Sequence, residues 1–98
     1  MIKINIKKNQ IIIEGHSNYS EFGTDIVCAS VSSISITTIN ALLKLDNKCI
    51  KYEEKDGFIK IDILKHNKYV DTLIENMIDL LKELEKQYKK NIQVNEEV

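Results

Sequence analysis

The sequence has no proline, only three glycines and only two cysteines, and these scarcities limit the kind of protein it can encode. Without proline, the turns are left to glycine, Asn and Asp. No apolar run reaches the length of a membrane-spanning helix, and residues 1–9 alternate in polarity where a signal peptide would carry an apolar core. Two cysteines without a secretory signal indicate reduced thiols. We therefore expect a cytoplasmic protein with no membrane partner.

The chain also lacks a strong charge of either sign, because 14 basic and 15 acidic residues give a formal net charge of −1. Proteins that bind nucleic acid mainly through phosphates need a concentrated positive surface, which this mixed charge does not provide. We therefore expect no direct nucleic-acid binding. A length of 98 residues with 43% apolar residues predicts one folded domain, residues 1–98, with a single modest core.

Alternation of apolar and polar residues predicts two strand pairs. The first pairs residues 2–6 with residues 11–14, and the second pairs residues 49–54 with residues 58–64 across an Asp-Gly turn at 56–57. Both pairs are expected to form antiparallel hairpins.

Helical spacing predicts two helices, from Asp25 to about Leu45 and from about Asn67 to Lys90. Asn91 would end the second helix, and Ile92 and Val94 predict a short edge strand after it. The fold class is therefore α+β, in the order ββαββα, with two helices packed on a mostly antiparallel sheet.

The first predicted helix is apolar on more than one face. Its core stripe comprises Val27, Val31, Ile34, Ile39, Leu42 and Leu45. Further apolar residues occur on the other faces, at Ile26, Ile36 and Leu43. A helix that is apolar nearly all round is buried on several sides, so a second subunit could cover it.

The candidate functional residues are His16 and Cys28, which lie on either side of a polar loop. If Asp25 caps the helix, Cys28 lies in its first turn, where the helix dipole favours the thiolate. The backbone amides of Cys28 and Ala29 could bind a developing oxyanion. Since His16 follows the second strand and Cys28 follows the loop, both should lie at one edge of the domain. A thiolate beside an imidazole is the pairing used in nucleophilic catalysis.

Two further residues could support this pair. Asp25 and Ser32 share a helix face with Cys28, and either could orient His16. Each also has a simpler explanation, because Asp25 suits a helix cap and Ser32 suits close helix packing. Likewise, Cys28 could be a small core residue and His16 an ordinary loop residue.

The loop at residues 17–24 contains two aromatic residues, Tyr19 and Phe22, in a polar context. They could pack on the core or line a groove. Gly23 adopts backbone angles that other residues avoid and is a candidate hinge. We expect this loop to close over a substrate.

The remaining histidine and cysteine give no metal-binding spacing. His66 is expected at a turn or helix cap, and Cys49 in a strand. The chain has no Cys-x-x-Cys or His-x-x-x-His motif, so we expect neither a metal site nor a cofactor.

Three short motifs stand out on either side of the loop: Gly15-His16-Ser17, Asp25-Ile26-Val27-Cys28-Ala29 and Val31-Ser32. In these motifs the sequence resembles the ribosomal-processing cysteine protease (Prp) family. The family pattern is GH(A/S), a short loop, then D-[IL]-V-C-A, a small residue and [VI]-S. Here the small residue is Ser30, where many relatives have Ala or Gly.

The resemblance implies a cytoplasmic, homodimeric endopeptidase of bacteria such as Firmicutes. Its substrate would be the N-terminal extension of a large-subunit ribosomal protein, the twenty-seventh of that subunit, cleaved after paired aromatic residues. Cys28 matches the family's nucleophile and His16 its general base. Asp25 and Ser32 match supporting polar residues, and Gly23 falls in the mobile loop.

Two other classes of function stay open at this point. One is a non-catalytic α+β module that binds the ribosome or RNA through its lysines, with His16 and Cys28 passive. The other is an interaction protein that dimerises through its first helix and buries Cys28.

Overall fold

The computed structural model describes residues 1–16 and 26–97. Its elements, in chain order, are β1 (Ile2–Lys7), β2 (Gln10–Gly15), α1 (Ile26–Leu45), β3 (Ile50–Lys55), β4 (Phe58–Ile63), α2 (Lys68–Gln87) and β5 (Ile92–Glu96). The predicted ββαββα order is confirmed, and the residues expected to form an edge strand are β5. The strand bounds differ from the predicted ones by one or two residues.

The five strands form one sheet in the order β3-β4-β2-β1-β5. Neighbouring strands are antiparallel except for β1 and β5, which are parallel. The register aligns Ile4 with Ile13 and Ile13 with Ile59, so isoleucines form a continuous apolar surface on one face. Because alternate residues of a strand point to opposite faces, the other face is polar. There, Gln10 donates a hydrogen bond to Asp62 over 3.0 Å.

Both helices pack on the isoleucine face and against each other. The buried residues of α1 are Val27, Val31, Ser35, Thr38, Ile39 and Leu42. The buried residues of α2 are Val70, Ile74, Met77 and Leu81. The two buried hydroxyls cost little, because Ser35 and Thr38 each donate a hydrogen bond to the carbonyl four residues earlier.

The additional apolar residues of α1 are largely accounted for within the chain. Ile36 and Leu43 pack against the core, as does Ile34. Leu45 was predicted to belong to the core stripe but is 47% exposed, because it is the last helical residue and the buried stripe of the helix ends at Leu42. Ile26 is exposed at the opposite end of the helix. The expected homodimer therefore stays a prediction.

The expectation that no apolar run reaches membrane-spanning length was wrong for α1. This 20-residue helix has a mean hydropathy of 1.8 over its most apolar window, so by length and composition it could cross a bilayer. Its serines and threonines are nearly neutral in hydropathy, and its first charged residue is Lys44. The core helix of a small domain has the same properties, and α1 supplies six buried residues to this core.

The two ends of α2 show how its bounds arise. The Asn67 side chain accepts hydrogen bonds from the Tyr69 and Val70 amides, as expected of an N-cap. The predicted C-terminus at Lys90 was wrong, because Tyr88 leaves the helical conformation and its N–H bonds the carbonyls of Leu84 and Glu85. Asn91 is thus the residue before β5 rather than the end of the helix.

Candidate active site

One end of the sheet contains a cavity of about 120 Å³ to which three separate parts of the chain contribute. Gly15 and His16 come from the end of β2, and Cys28 and Ser32 from the first two turns of α1. The rest of the wall includes the β3–β4 turn with its flanking residues: Glu54, Lys55, Asp56, Gly57 and Phe58. The structure therefore brings the predicted histidine and cysteine to the same cavity.

Cys28 is positioned by the start of α1. The helix begins at Ile26, so Cys28 is in its first turn, as predicted. Val27 and Val31 are buried on the core side of the helix, which turns Cys28 partly outwards into the cavity wall. Cys28 is therefore a half-buried thiol beside the backbone N–H groups at the start of the helix.

His16 is positioned by the backbone around Gly15. The φ angle of Gly15 is +105°, and a Cβ atom there would lie 2.3 Å from the Met1 carbonyl oxygen. Only glycine fits both the backbone angle and the space. The Gly15 N–H bonds the Gly57 carbonyl at 2.9 Å, and the Met1 nitrogen donates to the His16 carbonyl at 2.5 Å. These contacts fix the backbone at the point where the chain leaves the sheet.

The imidazole of His16 lies over the turn between β3 and β4. A Cβ atom on Gly57 would be 2.8 Å from Nε2 and 3.1 Å from Cε1 of His16. Gly57 has a φ of +69° and forms the predicted two-residue Asp-Gly turn with Asp56. The absence of a side chain at Gly57 is therefore what allows the ring to occupy this position.

The contribution of this turn was missed by the sequence reasoning. The Asp-Gly signal located the turn, but it carried no information about which loop would be its neighbour. That neighbour is set by the pairing of β2 with β4, in which Glu14 is opposite Phe58.

Of the other predicted site residues, Ser32 is among the residues that the structure describes. Ser32 is exposed and lines the cavity with Cys28, one helical turn away. Across residues 1–16 and 26–97, no hydrogen bond joins Ser32 to the His16 ring. Asp25, Tyr19, Phe22 and Gly23 lie outside the described residues, so their roles stay predictions.

The second histidine bridges two elements at the opposite end of the sheet. His66 Nδ1 is 2.7 Å from Asp71 Oδ1 on α2, and His66 Nε2 is 2.7 Å from Asn9 Oδ1 in the β1–β2 turn. The expectation of a turn or cap residue did not include this bridge, whose partners are distant in sequence.

The second cysteine is completely buried. Cys49 directly precedes β3, so it is not within the strand as predicted. Its Sγ donates to the Leu42 carbonyl at 3.4 Å. Burial raises the pKa of the Cys49 thiol, and the nearby Asp46 carboxylate raises it further.

The cavity combines the groups required for nucleophilic catalysis by a thiol. In the part of the chain that the structure describes, no three His, Cys, Asp or Glu side chains are grouped to hold a metal ion. Cysteine hydrolases use a thiol together with an imidazole, and both kinds of group line this cavity. The site therefore defines a class of protein, and comparison with known proteins identifies the family.

A family model described as "Cysteine protease Prp" matches residues 1–93. The chain belongs to the Prp family of cysteine proteases, as the sequence resemblance indicated. The expected fold and enzyme class are thereby confirmed.

Individual relatives agree with this assignment. The chain is 29% identical over 92 residues to the ribosomal processing cysteine protease Prp of Staphylococcus aureus strain Mu50, covering 91% of this chain and 87% of that one. It is 30% identical over 87 residues to the Bacillus subtilis strain 168 protein of the same name, covering 82% and 78%. A crystal structure of S. aureus Prp with a covalently linked product peptide superposes with a TM-score of 0.86. It shares 25% identity with this chain and covers 98% of it and 97% of the S. aureus chain.

Proposed function

We propose that this protease is a Cys–His endopeptidase that removes the N-terminal extension of a large-subunit ribosomal protein, the twenty-seventh of that subunit. The observation that carries the proposal is the placement of His16 and Cys28 on one cavity. The named activity of the relatives, ribosomal processing, supports the substrate class. The S. aureus protein has been crystallised with a covalently linked product peptide, which supports a peptide substrate.

The proposed reaction begins when His16 accepts the proton of Cys28. The Sγ thiolate then forms a bond to the scissile carbonyl carbon, and the positive end of the α1 dipole stabilises the oxyanion. As the carbon–nitrogen bond breaks, His16 gives its proton to the leaving amine. Water activated by His16 then hydrolyses the thioester, which releases the acid product and restores the thiol.

The finer features of the proposal follow from the family resemblance. Asp25 or Ser32 would orient His16, and the loop with Tyr19, Phe22 and Gly23 would close over the peptide. We also propose that the protein acts in the cytoplasm as a homodimer, without direct nucleic-acid contacts.

Replacement of the nucleophile tests this proposal. We expect Cys28→Ala to reduce cleavage of a peptide spanning the extension by at least about 10³-fold, because the proposed nucleophilic sulfur is removed. The measurement is kcat/KM by chromatography of the two product peptides. Urea unfolding should show little change, because Cys28 is only half-buried.

Cys49→Ala is the matched control, because it removes the same atom from the completely buried cysteine. This variant should retain cleavage. Full cleavage by Cys28→Ala would overturn the assignment of the nucleophile. If the unmodified protein fails to cleave this peptide but cleaves another, the proposed substrate is wrong, whereas the proposed Cys–His mechanism is not contradicted.

A further inference from the structure

Strand β3 is an edge strand that leads directly into the cavity. It is the terminal strand of the sheet, paired with β4 on one side only. Its last residues, Glu54 and Lys55, line the same cavity as His16 and Cys28. Every residue of β3 after Ile50 is exposed. The open edge of the sheet is therefore continuous with the candidate active site.

The hydrogen-bond alternation of the hairpin shows which residues face outwards. The Leu64 N–H bonds the Cys49 carbonyl at 2.8 Å, which marks residues 49 and 64 as a hydrogen-bonded pair. In an antiparallel ladder such pairs alternate, so Lys51, Glu53 and Lys55 also bond to β4. The backbone N–H and C=O groups of Tyr52 and Glu54 therefore point away from the sheet. Within residues 1–16 and 26–97, no segment pairs with them.

The charged side chains of β3 leave this edge open. Charges commonly protect an edge strand from unwanted pairing. Here three of the four charged residues, Lys51, Glu53 and Lys55, lie on the sheet face opposite the helices, where Lys55 pairs with Glu53 at 3.3 Å. The fourth, Glu54, lies on the other face. The backbone groups of the outer edge thus stay accessible to an extended chain.

We propose that the peptide substrate binds as an additional strand on the outer edge of β3, through the backbone groups of Tyr52 and Glu54. This inference rests on the proposed function and specifies how that site holds its substrate. From Tyr52 to Lys55 the strand spans about 10 Å at roughly 3.3 Å per residue, enough for about three substrate residues beside the cavity. Tyr52 is 46% exposed, and its ring offers an apolar contact to a substrate side chain. Strand addition gives affinity through main-chain hydrogen bonds.

Replacement of Tyr52 by proline tests the edge directly. Tyr52→Pro removes an outward N–H that the β3–β4 ladder does not use, a substitution that edge strands tolerate. Tyr52→Ala is the matched control, because it removes the same ring but retains the N–H. In Cys28→Ala protein, we expect Tyr52→Pro to bind a fluorescein-labelled extension peptide about 3- to 10-fold more weakly than Tyr52→Ala does, measured by fluorescence anisotropy. Equal affinities would overturn the proposal.

A scan of N-methylated peptides gives a second test that does not depend on the folding of any variant. Methylation of one substrate amide at a time should weaken binding at every second position beside the cleavage site, because alternate amides face the edge strand. Uniform effects along the peptide would overturn strand addition and leave the protease proposal intact. If unmodified protein neither binds nor cleaves the peptide, the proposed substrate fails, and strand addition of that peptide fails with it.

Discussion

Each end of the sheet has a histidine beside it, and the two imidazole rings differ in their hydrogen bonding. At one end, both ring nitrogens of His66 lie 2.7 Å from oxygen acceptors, which join the β1–β2 turn to α2. At the other end, the described residues offer the ring of His16 no hydrogen bond, and the ring lies over a glycine beside a cavity.

The two cysteines also differ, in their burial and in their surroundings. Cys49 is fully buried and its thiol bonds a carbonyl, whereas Cys28 is half-buried and lines the cavity. The polar side-chain atoms of His66 and Cys49 make hydrogen bonds within the fold. The candidate catalytic residues, His16 and Cys28, line a cavity.

The largest expected contrast is between the two histidines. We expect His16→Ala to lower kcat for peptide cleavage by about 10³-fold or more, because the thiol loses its base. We expect His66→Ala to retain cleavage and to lower the free energy of unfolding by about 1 kcal/mol, because two partly exposed hydrogen bonds are lost. Peptide kinetics and urea unfolding of both variants measure the contrast. Comparable activity losses in both variants would show that the assignment of roles is wrong.

A smaller effect is expected from a methyl group placed under the ring of His16. In Gly57→Ala the new Cβ would lie 2.8 Å from His16 Nε2, and the flexible imidazole should move rather than the backbone. We expect kcat to fall about 10- to 100-fold with little change in KM, because a displacement of about 1 Å disrupts proton transfer. The left-handed backbone angle adds a stability cost of about 1 kcal/mol.

The contribution of the ring contact can be separated from that of the backbone angle. The free energy of unfolding lost in Gly57→Ala should be smaller when His16 is already replaced by Ala. Urea unfolding of the unmodified protein, the two single variants and the double variant measures this difference. An unchanged kcat in Gly57→Ala would show that Gly57 does not position the imidazole.

The smallest effect concerns the buried thiol. Removal of Cys49 by Cys49→Ala should cost about 1 kcal/mol at pH 7, from lost burial of one heavy atom. The folded pKa of Cys49 is raised above its ordinary value of 9.0, so its stabilising effect is complete below pH 9 and is lost as pH rises through the folded pKa. The difference in free energy of unfolding between the unmodified protein and Cys49→Ala, measured by urea titration, should therefore become smaller above pH 9. A difference that does not change with pH would contradict the burial of an un-ionised thiol.

Local patterns in the sequence were sufficient for most of the fold. Alternating isoleucines identified the strands of the sheet, and Asn67 located the start of α2. The end of α2 could not be read in this way, because Lys89 and Lys90 are compatible with a helix that Tyr88 in fact ends. The exposure of Leu45 likewise depends on tertiary packing at the end of α1, which no local pattern encodes.

The candidate site was predictable only where its residues are close in sequence. His16 and Cys28 are separated by a single loop, and the chemistry of each residue type suggested its role. The contribution of Gly57, Glu54 and Lys55 to the cavity was not predicted, because it depends on the pairing of β4 with β2 and with β3. Strand order depends on contacts between distant residues, for which hydrophobic periodicity carries no signal.

The most direct test of the Cys28 assignment is active-site labelling followed by mass spectrometry. A chloromethyl ketone built on the extension peptide should attach once per protein at Cys28, and peptide cleavage should fall in proportion to the labelled fraction. Cys49 should stay unlabelled, because it is buried. Full activity in protein labelled at Cys28, or inactivation with Cys28 unlabelled, would contradict the account.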